Sequence, residues 1–171
     1  MCGVWIWGLR GSGKSTFAHE IHEDIYKRIP ADFAWSNYNR EEVILYDDVD
    51  HDTASIKNFT QELKHVADKW PFPKRDLYKK QEMFRPKACI VTSQYTINQL
   101  WFREKEAKEA LARRFWTVEA VANPRTYKVV GPEMDDETQT VTIFDNQSEA
   151  MKFLREKVGL DVESVKKAKF E

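Results

Sequence analysis

Residues 8–16 of this chain read GLRGSGKST and match the pattern G-x-x-x-x-G-K-[ST]. The four residues before this stretch, Val4 to Trp7, are all apolar and are typical of a short buried strand. Apolar residues then recur every four positions, as on one face of a helix: Phe17, Ile21, Ile25 and Ile29. The sequence therefore predicts a strand, a glycine-rich loop and one amphipathic helix in direct succession.

The residue types of this loop predict that it binds phosphate. Glycines let backbone N–H groups converge on a phosphate without an intervening Cβ, and the helix N-terminus adds a partial positive charge. We expect Lys14 to reach the β- and γ-phosphates of a nucleoside triphosphate, and the Ser15 hydroxyl to bind Mg²⁺. The residues expected to contact the nucleotide are Gly8, Gly11, Ser12, Gly13, Lys14, Ser15 and Thr16.

The composition fits a folded, soluble, intracellular protein. The chain has 171 residues, of which 42% are hydrophobic and 13% aromatic, enough for one domain with a full core. A net charge of −1 excludes a broadly basic surface, so any contact with nucleic acid needs a local basic patch. The two cysteines, Cys2 and Cys89, do not suggest a disulfide framework, and no apolar stretch approaches the length of a membrane span.

A second motif follows at residues 43–48, where the apolar run Val43 to Tyr46 leads into Asp47 and Asp48. This pattern predicts a buried parallel strand with two carboxylates at its C-terminal end. In nucleotide hydrolysis one carboxylate lies near Mg²⁺ and a second polarises the attacking water, and we assign Asp47 to the metal and Asp48 to the water. The alternative is that the two acids begin a solvated turn.

The apolar run from Ala88 to Ser93 predicts a third buried strand, with Gln94 directly after it. In P-loop ATPases with a strand inserted between the loop strand and the acidic strand, the tip of that inserted strand presents a polar side chain to the γ-phosphate. Ser93 and Gln94 are the candidates to orient the attacking water. An ordinary polar strand end is the alternative.

Residues 69–87 combine basic and aromatic side chains and could bind single-stranded DNA. Cations there would contact phosphates, and an aromatic ring could stack on a base. The basic residues assigned to this contact are Lys74, Arg75, Lys79 and Lys80. The alternative is a solvated basic loop whose aromatic side chains pack into the core.

Alternating strands and helices predict an α/β fold of the P-loop NTPase (AAA+-like) class, with a mainly parallel sheet sandwiched by helices. We assign residues 1–122 to this core. Residues 123–171 are assigned to a small C-terminal extension, made of a β-hairpin over 127–130 and 140–144 and a helix from about Ser148 to Val158. Gly159 is the expected C-cap of that helix.

The ordered segments WIWGLRGSGKS, EVILYDD, PKACIVTSQ and ALARRF resemble a known family. They are similar to the superfamily 3 helicase domain of replication-associated (Rep) proteins from circovirus-like viruses, which have circular single-stranded DNA genomes. The resemblance covers about residues 3–118. It implies an ATP- and Mg²⁺-dependent DNA helicase module of a replication initiator, located in the host nucleus.

The resemblance also implies roles for individual residues. Lys14 and Ser15 would form Walker A, Asp47 and Asp48 Walker B, and Gln94 would stand where the family has a sensor asparagine. Arg113 or Arg114 would be an arginine finger that reaches the nucleotide of a neighbouring subunit in a ring, typically a hexamer. Lys79 and Lys80 would lie nearest the tip of a hairpin that lines the ring channel.

Two other functions remain open at the level of the sequence. The nuclease domain and the oligomerisation helices that precede the helicase in Rep proteins have no counterpart in these residues, so we expect ring assembly to need them. A nucleotide-binding fragment without turnover is therefore one alternative. A small-molecule P-loop kinase is the other, with the helix of Arg113 and Arg114 as its lid, although that helix end could also be merely solvated.

Overall fold

The computed structural model describes residues 3–68, 72–73, 83–134 and 138–160. The strands are β1 (Gly3–Trp7), β2 (Ile25–Lys27), β3 (Val43–Val49), β4 (Phe72–Pro73), β5 (Met83–Phe84), β6 (Ala88–Ser93), β7 (Phe115–Ala122), β8 (Arg125–Val130) and β9 (Val141–Phe144). The helices are α1 (Lys14–Glu20), α2 (His51–Ala54), α3 (Phe59–Val66), α4 (Ile97–Leu100), α5 (Lys105–Ala112) and α6 (Gln147–Val158). No helix within these ranges has the length and apolar character needed to cross a membrane.

Seven strands form one sheet in the order β2-β3-β6-β1-β7-β8-β9, and β4 pairs with β5 separately. The five strands from β2 to β7 in this order run parallel, whereas β8 and β9 are antiparallel additions. Strand β6 lies between β1 and β3, so the C-terminal ends of all three strands meet at one edge of the sheet. The structure thus confirms the predicted α/β class with a mainly parallel sheet between helices.

The alternation of side chains along β1 separates two cores, one on each face of the sheet. Val4 and Ile6 point to the face that α1 and α6 cover. Trp5 points to the opposite face, covered by α3, α4 and α5, where its ring makes edge contacts with Trp101 and Phe115 at centroid distances of 5.8 and 5.7 Å. Both faces of the sheet are therefore buried, as the apolar strands require.

The prediction of a single helix after the loop is wrong beyond Glu20. Helix α1 ends at Glu20, and Ile25 lies in β2, in register with Val43 of β3. The chain leaves the helix because His22 Nδ1 accepts the N–H of Asp24 at 3.0 Å, and the Asp24 carbonyl accepts the N–H of Val43 at 3.1 Å. Pairing with the open edge of β3 therefore prevails over the four-residue spacing of apolar side chains.

The predicted C-terminal hairpin is present, and it extends the main sheet through β8. The helix after it begins earlier than expected, because Asn146 and not Ser148 is the N-cap: its side chain accepts the N–H groups of Ser148 and Glu149. Gly159 ends the helix with a left-handed φ of 79°, as predicted. The division of the chain after residue 122 lies in the turn between β7 and β8 and stays a prediction.

Candidate nucleotide-binding site

The loop between β1 and α1 takes the backbone shape that its glycines allow. Gly11 and Gly13 have φ values of 78° and 85°, in the left-handed region that other residues rarely adopt. Such left-handed residues within a turn form concavities of backbone N–H groups that bind anions. Helix α1 starts at Lys14, directly after Gly13.

Gly8 is required for a different reason, which is the closeness of strand β7. A Cβ at this position would lie 2.4 Å from the carbonyl oxygen of Ala120 and 2.9 Å from Ser12 Oγ. That Ser12 hydroxyl is buried and has no hydrogen-bond partner in the part of the chain that the structure describes. An orphaned hydroxyl inside this loop fits a ligand that carries acceptor oxygens.

Lys14 folds back over the loop from which it emerges. Its Nζ donates hydrogen bonds to the carbonyl oxygens of Gly8 at 2.8 Å and Leu9 at 2.9 Å. Burial lowers the pKa of Lys14 below its usual value, while the carboxylates of Asp48 and Asp47 act in the opposite direction. The ammonium group thus lies in the field of both acids, where a phosphate would also meet it.

Asp47 accepts hydrogen bonds from two hydroxyls at one carboxylate oxygen. Ser15 Oγ lies 3.1 Å and Thr92 Oγ1 lies 2.6 Å from Asp47 Oδ1, and Lys27 Nζ is 3.5 Å from Oδ2. Burial alone would raise the pKa of Asp47, but the hydrogen bonds from Thr92 and Ser15 and the charge of Lys27 lower it overall. Asp47 is therefore ionised at neutral pH.

Ser15 and Asp47 offer the oxygen ligands that Mg²⁺ prefers. No group of three or more His, Cys, Asp or Glu side chains in the described ranges is placed to hold a metal ion. Magnesium is commonly bound by one or two carboxylates together with water and substrate phosphates, and the set formed by one carboxylate and one hydroxyl fits that pattern.

A β-bulge directs both acids of the motif to the same cavity. In a regular strand, neighbouring side chains point to opposite faces. Here the pairing of β3 with β6 shifts register between Tyr46 and Val49, and Asp48 has a left-handed φ of 55°. The N–H of Asp48 donates to Thr92 Oγ1 at 2.8 Å, which holds the bulge in place. Such strained conformations concentrate at functional sites.

The tip of β6 places Ser93 and Gln94 in different surroundings. Ser93 is fully buried, donates its hydroxyl to the Val49 carbonyl and accepts the N–H of Tyr95, so it supports the backbone. Gln94 lines the cavity beside the two acids. Thr92 also lines it, and sequence reasoning missed this residue, because a threonine inside an apolar strand is an ordinary strand former.

These side chains surround one open cavity of about 470 Å³, within the usual size range of ligand pockets. Its walls are Arg10, Gly11, Gly13, Lys14, Ser15, Thr16, Asp47, Asp48, Thr92 and Gln94. Arg10 is the second residue that sequence reasoning missed, although its place inside the loop was a signal. The roles of the lining residues toward a nucleotide stay predictions.

Arg113 and Arg114 lie away from this cavity, at the opposite, N-terminal ends of the parallel strands. The Arg114 carbonyl accepts the N–H of Gly3 at 3.1 Å, so both arginines are next to the N-terminal end of β1. The Arg114 guanidinium is committed to Asp68 at 3.2 Å and to the Ala110 carbonyl at 2.6 Å. Arg113 is exposed. The four basic residues proposed for nucleic acid, Lys74, Arg75, Lys79 and Lys80, lie outside the described residues.

Comparisons with known proteins agree with this geometry. The family model described as RNA helicase matches residues 4–95, which include the loop, both aspartates and Gln94. A genome polyprotein of Rice tungro spherical virus (strain Vt6) is 43% identical over 58 residues, a match that covers 27% of this chain and 2% of the polyprotein. The chain therefore spans only a small part of that relative, and together the two matches support a viral helicase domain. The chain belongs to the RNA helicase family, because the family model matches just over half of the residues of the chain.

Proposed function

We propose that this chain is the ATP- and Mg²⁺-dependent helicase module of a viral replication initiator, which hydrolyses ATP at a subunit interface and translocates on single-stranded DNA. The observation that carries the proposal is the contact between Ser15 of the phosphate loop and Asp47 of β3, at 3.1 Å. It brings a hydroxyl and a carboxylate, the two expected protein ligands of Mg²⁺, to the same point beside Lys14.

In the proposed reaction, Lys14 neutralises charge on the β- and γ-phosphates, and bound Mg²⁺ supplies further charge neutralisation. Gln94 orients a water molecule, and Asp48 accepts its proton. The water oxygen forms a bond to the γ-phosphorus while the bond to the β,γ-bridging oxygen breaks, which gives ADP and phosphate. Asp48 is exposed and lines the cavity wall, so a water molecule in the cavity can reach its carboxylate.

The proposed arginine finger is Arg113, because it is exposed at the end of α5, where a neighbouring subunit can reach it. Arg114 is more buried than Arg113 and contacts Asp68 and the Ala110 carbonyl. Both residues lie across the sheet from the cavity of their own subunit, so a finger at this place would act on a neighbouring subunit. A closed ring, typically a hexamer, supplies such a neighbour at every site.

The strand that the module acts on is proposed to be single-stranded DNA, from the resemblance to Rep proteins. Lys74, Arg75, Lys79 and Lys80 would contact its phosphates. The description of the matched family as RNA helicase favours single-stranded RNA as a second candidate. A small-molecule kinase receives no support from the family match.

The test is ATP hydrolysis with Mg²⁺, measured without nucleic acid and with single-stranded DNA or RNA of equal length. Lys14→Ala is the inactive variant, and Lys57→Ala, at an exposed lysine between α2 and α3, is the matched control. Turnover that DNA stimulates and that only Lys14→Ala abolishes supports the proposal. Stimulation by RNA alone would replace the DNA assignment, and turnover that neither strand stimulates would contradict the helicase function.

A further inference from the structure

Arg125, the first residue of β8, places its guanidinium against the phosphate-binding loop. A Cβ built on Gly13 would lie 2.9 Å from Arg125 Nη1, so this cation lies close beside the loop at the residue directly before Lys14. Arg125 belongs to the C-terminal hairpin, a part of the chain to which sequence reasoning gave no role. Arg125 thus adds a positive charge, from a strand distant in sequence, to a loop expected to bind phosphate.

The position of this guanidinium is fixed by a chain of hydrogen bonds. Arg125 Nη1 donates to Tyr127 Oη at 3.1 Å, and Tyr127 Oη donates to Gln147 Oε1 at 3.2 Å. Gln147 Nε2 in turn donates to Glu20 Oε2 at 2.7 Å, at the end of α1. Tyr127 is buried, and its ring packs on Phe17 of α1 with centroids 5.3 Å apart. The hairpin and α6 therefore hold Arg125 in a set place relative to the loop.

Most of the hydrogen-bonding capacity of Arg125 is left for a ligand. A guanidinium has five N–H donors, and in the described part of the chain one hydrogen bond from this group is seen, to Tyr127. The residue is exposed, so its remaining donors are open to solvent beside the loop. Arginine is well suited to phosphate, because its planar fork matches two phosphate oxygens.

The order of the strands indicates which part of a nucleotide Arg125 would meet. The acids Asp47 and Asp48 come from β3 and Gln94 follows β6, on one side of β1, whereas Arg125 comes from β8 on the other side. A triphosphate whose terminal phosphate faces the acids therefore has its nucleoside end directed toward β7 and β8. We propose that Arg125 binds the α-phosphate of the nucleotide in its own subunit, an inference that rests on the nucleotide site proposed above.

The experiment measures the equilibrium affinity for ATP and for ADP, both with Mg²⁺, in the wild-type chain and three variants. Arg125→Ala removes the cation, Arg125→Lys retains the charge without the fork, and Lys128→Ala removes an exposed cation from the same strand. We expect Arg125→Ala to weaken both nucleotides by about 10-fold or more, because a hydrogen bond to a charged group is involved. Arg125→Lys should be intermediate, and Lys128→Ala should match the wild type.

Thermal unfolding without nucleotide shows whether Arg125 acts by contacting the nucleotide or by stabilising the loop. Arg125→Ala should melt within a few degrees of the wild type, because Arg125 is exposed. Unchanged affinity for ATP and ADP in this variant would overturn the inference, and so would a loss of affinity that follows a large drop in melting temperature. Lys14→Ala gives the separate result for the site itself: if it still binds ATP normally, the proposed function fails, whatever the Arg125 variants do.

Discussion

The hydroxyl of Ser15 and the carboxylate of Asp47 are in direct hydrogen-bond contact at 3.1 Å, although they belong to different strand–helix units of the chain. Strand β6 makes this contact possible, because it lies between β1 and β3 and brings Thr92 to the same carboxylate oxygen at 2.6 Å. The proposed metal site therefore depends on three segments that meet only in the folded sheet.

The Ser15–Asp47 pair should behave as one unit in a double-mutant cycle. Ser15→Ala and Asp47→Asn should each raise the Mg²⁺ concentration needed for half-maximal ATP turnover by about 10-fold or more, since the first removes an oxygen ligand and the second removes the negative charge of the other ligand. The double variant should lose less than the sum of the two single losses, because in the proposed site the two residues share one ion. Ser148→Ala, at an exposed serine, is the control. Strict additivity would show that the two residues act independently.

Thr92 should stabilise the acidic bulge in a pH-dependent way. Thr92→Val removes the donor to Asp47 and the acceptor for the Asp48 N–H, and should cost about 1–3 kcal/mol in the free energy of unfolding at pH 7. Thr92→Ser keeps the hydroxyl and should stay closer to the wild type. Urea unfolding measures both variants.

The sign of the pH effect follows from the lowered pKa of Asp47. A folded-state pKa below the ordinary value of about 3.9 stabilises the folded protein at pH values above about 3.9. This stabilisation is lost as the pH falls through the folded-state pKa. Because Thr92→Val raises the Asp47 pKa, the difference in stability from the wild type should narrow below about pH 4. A difference that is the same at pH 7 and pH 3 would argue against this hydrogen bond as the cause.

Substitutions of the two neighbouring arginines should have different effects. Arg114→Ala should lower stability, and Arg113→Ala should lower ATP turnover. Arg114→Ala breaks the contacts with Asp68 and the Ala110 carbonyl, and should lower the free energy of unfolding by about 1 kcal/mol. Arg113→Ala should reduce ATP turnover of the assembled ring by roughly 10³-fold or more, as loss of an arginine finger does. Full turnover by Arg113→Ala in an assembled ring would exclude it as the finger.

Arg155 should be important for stability, because it caps the helix of the phosphate loop. Its Nε donates to the Ile21 carbonyl at 2.7 Å and its Nη2 to the Glu20 carbonyl at 2.9 Å, at the C-terminal end of α1. Burial lowers the pKa of Arg155, but an arginine remains charged at neutral pH. Arg155→Ala should cost about 1–3 kcal/mol in unfolding free energy, whereas Lys152→Ala, at an exposed position of α6, should cost little. Equal losses would contradict the capping role.

The sequence predicted those parts of the site that are contiguous in the chain. The glycine loop with Lys14 and the apolar run that leads into Asp47 are both local patterns. Each can be recognised from neighbouring residues alone. The end of α1 was mispredicted, since Ile25 continues the helical spacing but pairs with β3 in the fold. Thr92 and Arg125 were missed because their significance comes from partners, Asp47 and Gly13, that are distant in sequence.

Because β8 and β9 continue the sheet past β7, the phosphate-binding loop and the C-terminal hairpin should unfold together as one cooperative unit. A chain cut after Ala122 would leave β7 as a bare sheet edge open to pairing with other molecules. It would also uncover Phe17, which packs on Tyr127, and free the end of α1 that Arg155 caps. For protein production, the hairpin and α6 therefore belong in the smallest piece of this chain that remains soluble and folded.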